Sequence, residues 1–191
     1  SSVRITPDDL VGNMNRLIAW ERDDSLKKLA EGTRPWEFAY APQEVNAGYS
    51  PSRNSITFPA GILQAPFFDP KADVAVNFGS IAAVIGHEIG HAFDDQGSRS
   101  DGDGKLRDWW TPASRAEFDK RTAGLVAQFD QYEPLPGTHI NGRQNLGENI
   151  GDLGGLAVAH AAYRKYVADK LGGKAPVIDG FTGDQRFFLA W

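Results

Sequence analysis

His87-Glu88-Ile89-Gly90-His91 fits the pattern H-E-x-x-H, in which two imidazoles at i and i+4 leave the same side of a helix and can bind one zinc ion. Glu88 lies one step round that helix. In such sites zinc lowers the pKa of a water to roughly 7, and the neighbouring glutamate takes the proton as the water attacks a carbonyl, usually that of a peptide. A five-residue pattern with two free positions also arises by chance, and a helical histidine is more often an ordinary core or surface residue. Placement counts against chance here. The histidines sit within an otherwise apolar segment, where unpaired imidazoles would be costly to bury.

A catalytic zinc with two histidines needs a third protein ligand and one open position. The best candidate is Glu148, in Glu148-Asn149-Ile150-Gly151-Asp152 on a separate downstream helix. Asp152 follows at i+4 on the same helical face, placed to accept a hydrogen bond from the non-ligating nitrogen of a zinc histidine and so fix its tautomer. Taken alone, Glu148 and Asp152 also suit the solvated acidic start of a helix.

The elements that must carry these residues follow from periodicity and punctuation. Thr6 as cap, Pro7, and the recurrence of Leu10, Met14, Leu17, Ile18 and Leu29 predict a first helix ended by Gly32. From Val45 to Phe68 the pattern turns β-rich, with Val45-Asn46-Ala47 and Ser55-Ile56-Thr57-Phe58 as strand pieces around a turn at Ser50 to Asn54. Apolar residues at 78, 81, 82, 85, 89, 92 and 93 predict one helix from Phe78 to Phe93, bearing the zinc motif. Thr111 and Pro112 open another, with Phe118, Leu125, Val126 and Phe129 on its buried side. A long helix from about Asn145 to Leu171 stops at Gly172-Gly173, and the apolar run Arg186 to Trp191 ends inside an element.

At 191 residues, 41% hydrophobic and 24% charged, the chain suits one globular domain. A net charge of −5 and a pI near 5.3, with no run of Lys and Arg, give no electrostatic reason to bind nucleic acid or an anionic membrane. There is no cysteine, hence no disulfide framework and no thiolate chemistry. No apolar run approaches the roughly 20 residues of a membrane span, and residues 1–10 lack the features of a signal peptide. Either could lie in a longer parent chain. Asp101-Gly102-Asp103-Gly104 opens like a calcium loop, but Lys105 stands at the third acidic position, so a tight turn is expected. Trp109, Trp110, His139 and His160 read as structural, and Gly154-Gly155 as a place where two helices approach closely.

Three blocks of residues together resemble the neprilysin and endothelin-converting-enzyme family of zinc metallopeptidases, including its bacterial oligopeptidase members. They are Val45 to Asn54 with Phe58 to Phe68, Ile85 to Asp95 with Leu106 to Trp110, and Leu146 to Asp152, in matching order over nearly the whole chain. The resemblance implies an α+β, thermolysin-like catalytic domain, mainly helical with a small sheet. It implies one zinc ion per chain on His87, His91 and Glu148, with Glu88 as general base and Asp152 orienting a zinc histidine. Asn46 and Ala47 would hold the substrate backbone as an added strand. Ile62, Phe67 and Val84 match positions lining the pocket for the side chain after the scissile bond, which implies cleavage of oligopeptides on the amino side of large hydrophobic residues.

The family pattern usually has an aromatic residue where this chain has Gly48, so a more open upper edge of the cleft is expected. Family members are several times longer, with a large helical domain and a downstream His and Arg, which makes residues 1–191 a partial catalytic domain. Two rivals remain: a zinc-binding but catalytically silent fragment, and a non-enzymatic peptide-binding module. The bacterial members leave cytoplasmic and exported locations both open, and oligomeric state is open too.

Overall fold

The structure, a computed structural model, describes residues 3–32, 34 and 36–191, which fall into two separately compact units, residues 1–37 and 38–191. In the first, α1 spans Leu10–Glu31. Its cap is Asp9, whose side chain accepts from the Gly12 N–H at 3.0 Å, and not Thr6. Asp8 at φ 62° breaks the helical path between the two residues, so Pro7 falls in a turn. Thr6 is tied to the helix differently, exchanging backbone hydrogen bonds with the Asn13 side chain at 2.9 and 2.8 Å. Gly32 ends α1 at φ 81°, a conformation that favours glycine. Ion pairs from Arg34 to Asp24 and from Lys28 to Glu37, each 2.8 Å long, tie the end of the unit to α1.

The second unit opens with a hairpin in which β1 (Gly48–Ser50) pairs antiparallel with β2 (Ser55–Thr57), Gly48 opposite Thr57 and Ser50 opposite Ser55. The expected strand at 45–47 is therefore displaced. Continuing that register would set Asn46 against Pro59, which has no N–H to give a ladder, so pairing stops at Gly48.

The expected single helix over 78–93 is two: α2 (Val74–Gly79) and α3 (Ile81–Gly90). The break is at Ser80, held at φ −99° and ψ −94° with its Oγ 2.7 Å from the Phe67 carbonyl and 2.8 Å from that of Val76. The Ile81 N–H also turns to Phe67 O, at 3.1 Å. Hydrophobic spacing cannot register such a break, because apolar residues stand on both sides of it.

Next come α4 (Pro112–Phe129), α5 (Leu146–Lys170) and α6 (Gly183–Ala190). Thr111 caps α4 as its sequence predicts, accepting from the Ser114 N–H. Phe118, Leu125, Val126 and Phe129 lie on its covered face but are only half-buried. Trp110 packs edge-on between Trp109 and Phe118, with the Arg115 guanidinium 4.8 Å from its ring centre. The Asp101 segment is the expected tight turn: its carboxylate accepts from the N–H groups of Asp103 and Lys105 and pairs with Arg107 at 2.8 Å. Gly172 and Gly173 end α5 at φ 63° and 84°.

The core joins α2, α3, α5 and α6 through Ala75, Ala83, Ala159, Tyr163, Val167 and Phe187. What sets the helix spacing is glycine. A β-carbon on Gly86 would lie 2.8 Å from the Gly155 Cα, one on Gly90 3.2 Å from the Gly151 Cα, and one on Gly155 2.5 Å from the His87 nitrogen. Of the two glycines expected to permit a close approach, Gly155 does so, while Gly154 faces open space. Among the described residues no helix is long and apolar enough to cross a membrane.

Candidate metal centre

Because α5 runs so close to α3, residues far apart in sequence converge on one point. His87 lies in the last turn of α3, and His91 is the next residue after it, still at helical angles of φ −60° and ψ −23° with its N–H bonded to His87 O. From the first turn of α5, Glu148 brings Oε2 to 3.3 Å from His87 Nε2 and 3.7 Å from His91 Nε2. One turn on, Asp152 Oδ1 is 2.8 Å from His87 Nδ1. The candidate ligand atoms of His87, His91 and Glu148 all lie within 4.8 Å of one another.

His91 has a carboxylate of its own that the sequence reading missed. Asp94 Oδ2 is 2.8 Å from His91 Nδ1, and Asp94 Oδ1 accepts the N–H groups of Gln96 and Gly97 at 2.8 and 2.6 Å. The available signal was its position three residues after the second motif histidine, where the chain turns back beside the ring. Burial alone would raise the Asp94 pKa, but hydrogen bonds from His91, Gly97 and Gln96 outweigh it and hold the carboxyl below its usual range. In return the Asp94 hydrogen bond, against the cost of burial, raises the pKa of His91.

These contacts test whether a cation fits. A carboxylate that accepts from Nδ1 fixes the tautomer in which Nε2 is free to bind a cation, and both Nε2 atoms face Glu148 Oε2. In that tautomer three lone pairs converge, and a cation among them would relieve their repulsion. Two imidazole nitrogens and a carboxylate oxygen are a zinc donor set, and bonds of 2.0–2.1 Å in a tetrahedron put ligand atoms about 3.3 Å apart, close to what is seen.

Glu88 is buried beside the two histidines, and its Oε2 has no hydrogen-bond partner among the described residues. Burial raises its pKa, opposed in part by the charges of His87 and His91. All these groups except Asp152 line an open cavity of about 480 Å³, shared with Asn46, Ala47, Gly48, Tyr49 and Tyr40. Ile62, Phe67 and Val84 are not among its lining residues. They pack with Ala47 and Ile81 in a small apolar cluster, and Ala47 is the residue common to both places. Asn46 spends its Oδ1 on the neighbouring Ala47 N–H, at 2.9 Å.

The cleft edge at Gly48 is not left open, because a β-carbon there would overlap the Tyr40 hydroxyl. His139 is exposed and away from the centre, and His160 is held by Asp184 at 2.9 Å between aromatic rings.

Residues 46–191 match the sequence model of peptidase family M13. Neprilysin-11 of Caenorhabditis elegans is 44% identical over 182 residues, covering 93% of this chain and 21% of that relative. Endothelin-converting enzyme 1 of Bos taurus is 42% identical over 185 residues, covering 97% of this chain and 24% of that relative. The crystal structure of Mycobacterium tuberculosis zinc metalloprotease ZMP1 in complex with an inhibitor is similar at a TM-score of 0.91 and 51% identity, over 99% of this chain and 29% of that one. The chain thus spans between about a fifth and a quarter of the length of these curated relatives.

Proposed function

The chain belongs to peptidase family M13, and from that premise we propose that it is the catalytic core of a zinc-dependent endopeptidase acting on oligopeptides. The observation that carries the reading is the meeting of His87 Nε2, His91 Nε2 and Glu148 Oε2 beside the Glu88 carboxylate, whose Oε2 has no partner among the described residues. When bound there, zinc would supply Lewis acidity, which polarises a carbonyl and acidifies water near it.

The remaining work falls to the chain's own residues. Glu88 Oε2 takes the proton of the attacking water and passes it to the leaving amine, and a pKa raised by burial makes that oxygen a stronger proton acceptor. Asp152 and Asp94 hold the His87 and His91 rings in the tautomer that offers Nε2. Among the described residues β1 pairs with β2 along one edge only, which leaves its other edge for an extended substrate continuing from Asn46 and Ala47. The apolar cluster of Ile62, Phe67 and Val84 behind Ala47 favours a large hydrophobic side chain after the scissile bond. This is a thermolysin-like division of labour between a strand edge and a helix pair.

The test compares Glu88→Gln and Glu148→Ala with the parent chain, reading zinc content by elemental analysis and hydrolysis with an internally quenched peptide. One zinc per chain is expected in the parent and in Glu88→Gln, with hydrolysis lost in Glu88→Gln because an amide cannot accept the proton. Full zinc in Glu148→Ala would overturn the ligand set. Undiminished turnover in Glu88→Gln would overturn the base, and zinc without hydrolysis in the parent would identify a silent metal-binding module.

A further inference from the structure

The space above Gly48 is filled by a residue from another segment. A side chain at 48 would begin where the Tyr40 hydroxyl lies, and the outer ring carbons of Tyr40 stand 2.9 and 3.0 Å from that same point. Tyr40 is half-buried and lines the cavity together with Asn46, Ala47, Glu88 and His91. Its segment is fixed. The Ala41 N–H donates to the Glu44 side chain at 2.9 Å, the Glu44 N–H to Ala41 O at 3.0 Å, and the Gly61 N–H to Pro42 O at 2.8 Å. Among the described residues no group hydrogen-bonds the Tyr40 phenol, so a donor carried on a tied segment is free at the wall of the cleft.

We propose that Tyr40 is a substrate-contacting, specificity-determining residue. Its ring forms the wall of the subsite over Gly48, and its hydroxyl donates a hydrogen bond to a backbone carbonyl of the bound peptide. This rests on the peptidase reading above. Three features support it: the phenol has no partner among the described residues, it occupies the space a side chain at 48 would enter, and an extended peptide along β1 would pass beside it. Tyr40 therefore limits the size of the substrate side chain facing Gly48 and adds one directional contact to the substrate backbone. The residue acts on binding and selection and takes no part in proton transfer.

The experiment separates this claim from catalysis by measuring peptide binding in the zinc-loaded Glu88→Gln background. The probes are end-blocked fluorescent octapeptides carrying Gly, Ala, Leu or Trp in turn at each of the four positions flanking the scissile bond. Tyr40→Phe is expected to raise Kd by about 2- to 10-fold for every peptide, the usual worth of one neutral hydrogen bond. Tyr40→Ala is expected to relax selection against Trp at one position only. Gly48→Tyr should bind poorly because the two rings collide, and Gly48→Tyr with Tyr40→Ala should bind better than Gly48→Tyr alone. Zinc content and the urea midpoint report folding for each variant. Unchanged Kd in Tyr40→Phe, or an equal change at all four positions in Tyr40→Ala, overturns the proposal. If the parent chain cleaves nothing while the binding pattern appears, the catalytic reading fails and the role of Tyr40 stands.

Discussion

Asp94 and Asp152 make the same 2.8 Å contact with a histidine Nδ1, but in different surroundings. The Asp94 side chain is 8% exposed and also accepts two backbone N–H groups, whereas that of Asp152 is 48% exposed. In Asp94→Asn the amide oxygen stays with the Gln96 and Gly97 N–H groups and the N–H₂ faces Nδ1, which favours the tautomer with the proton on Nε2 and so withdraws the lone pair needed by a metal; in Asp152→Asn the amide oxygen can still accept from Nδ1, and it is the negative charge that is lost. Loss of such a supporting carboxylate typically costs about 10- to 100-fold in metal affinity. Asp152→Asn is expected near the lower end with an unchanged fold. Asp94→Asn should fall near the upper end, with a lowered urea midpoint as well, because its carboxylate also organises the turn through Gln96 and Gly97. Chelator competition measures the first effect, and equal affinity in both variants and the parent would refute the ring-orienting roles.

The helices α3 and α5 meet through backbone, and their glycines are unequal. Gly155→Ala would place a methyl group 2.5 Å from the His87 nitrogen and 2.6 Å from Ala83 O, atoms that cannot move aside without shifting α3. Overpacking of this kind costs about 1–3 kcal/mol, and here it would also draw Glu148 away from the histidines. Gly154→Ala meets nothing within 4 Å and removes a glycine from a helix interior, so it should stabilise by up to about 1 kcal/mol. Urea denaturation of the pair is the measurement, and equal effects would show that α3 and α5 are not held at contact. Thr111→Ala removes the cap of α4 and is expected to cost about 1 kcal/mol without altering metal affinity.

Across residues 38–191 the metal is expected to act as a clasp, because His87 and His91 come with α3 and Glu148 comes with α5. Zinc at 1,000 times its Kd would contribute about 4 kcal/mol, a rise of roughly 10 °C in Tm for a chain of this size. Thermal melts with and without chelator check this, and Glu148→Ala should show little difference between the two. A second tie is Arg186, buried with its Nε 2.8 Å from Asp73 and its Nη1 3.0 Å from Pro176 O, which fastens α6 to the start of α2. Asp73→Ala leaves that guanidinium without its counter-charge and should cost on the order of 3 kcal/mol.

Much of this was legible in sequence because it depends on local periodicity. The spacing of His87 and His91 and of Glu148 and Asp152, the capping of α4 by Thr111 and the end of α5 at Gly172 are each settled within a few residues by helix geometry. What the tertiary structure alone decided involves distant partners. Ser80 breaks a continuous apolar pattern because its hydroxyl and the next N–H meet a carbonyl at Phe67. β1 starts at Gly48 because its partner strand runs into Pro59. Tyr40 fills the space over Gly48, and Ile62, Phe67 and Val84 gather behind Ala47 and not around the cavity of His87, His91 and Glu148. The motif residues repeat at the period of the helix that carries them, whereas these contacts form only when segments far apart in sequence compete for the same space and the same hydrogen bonds.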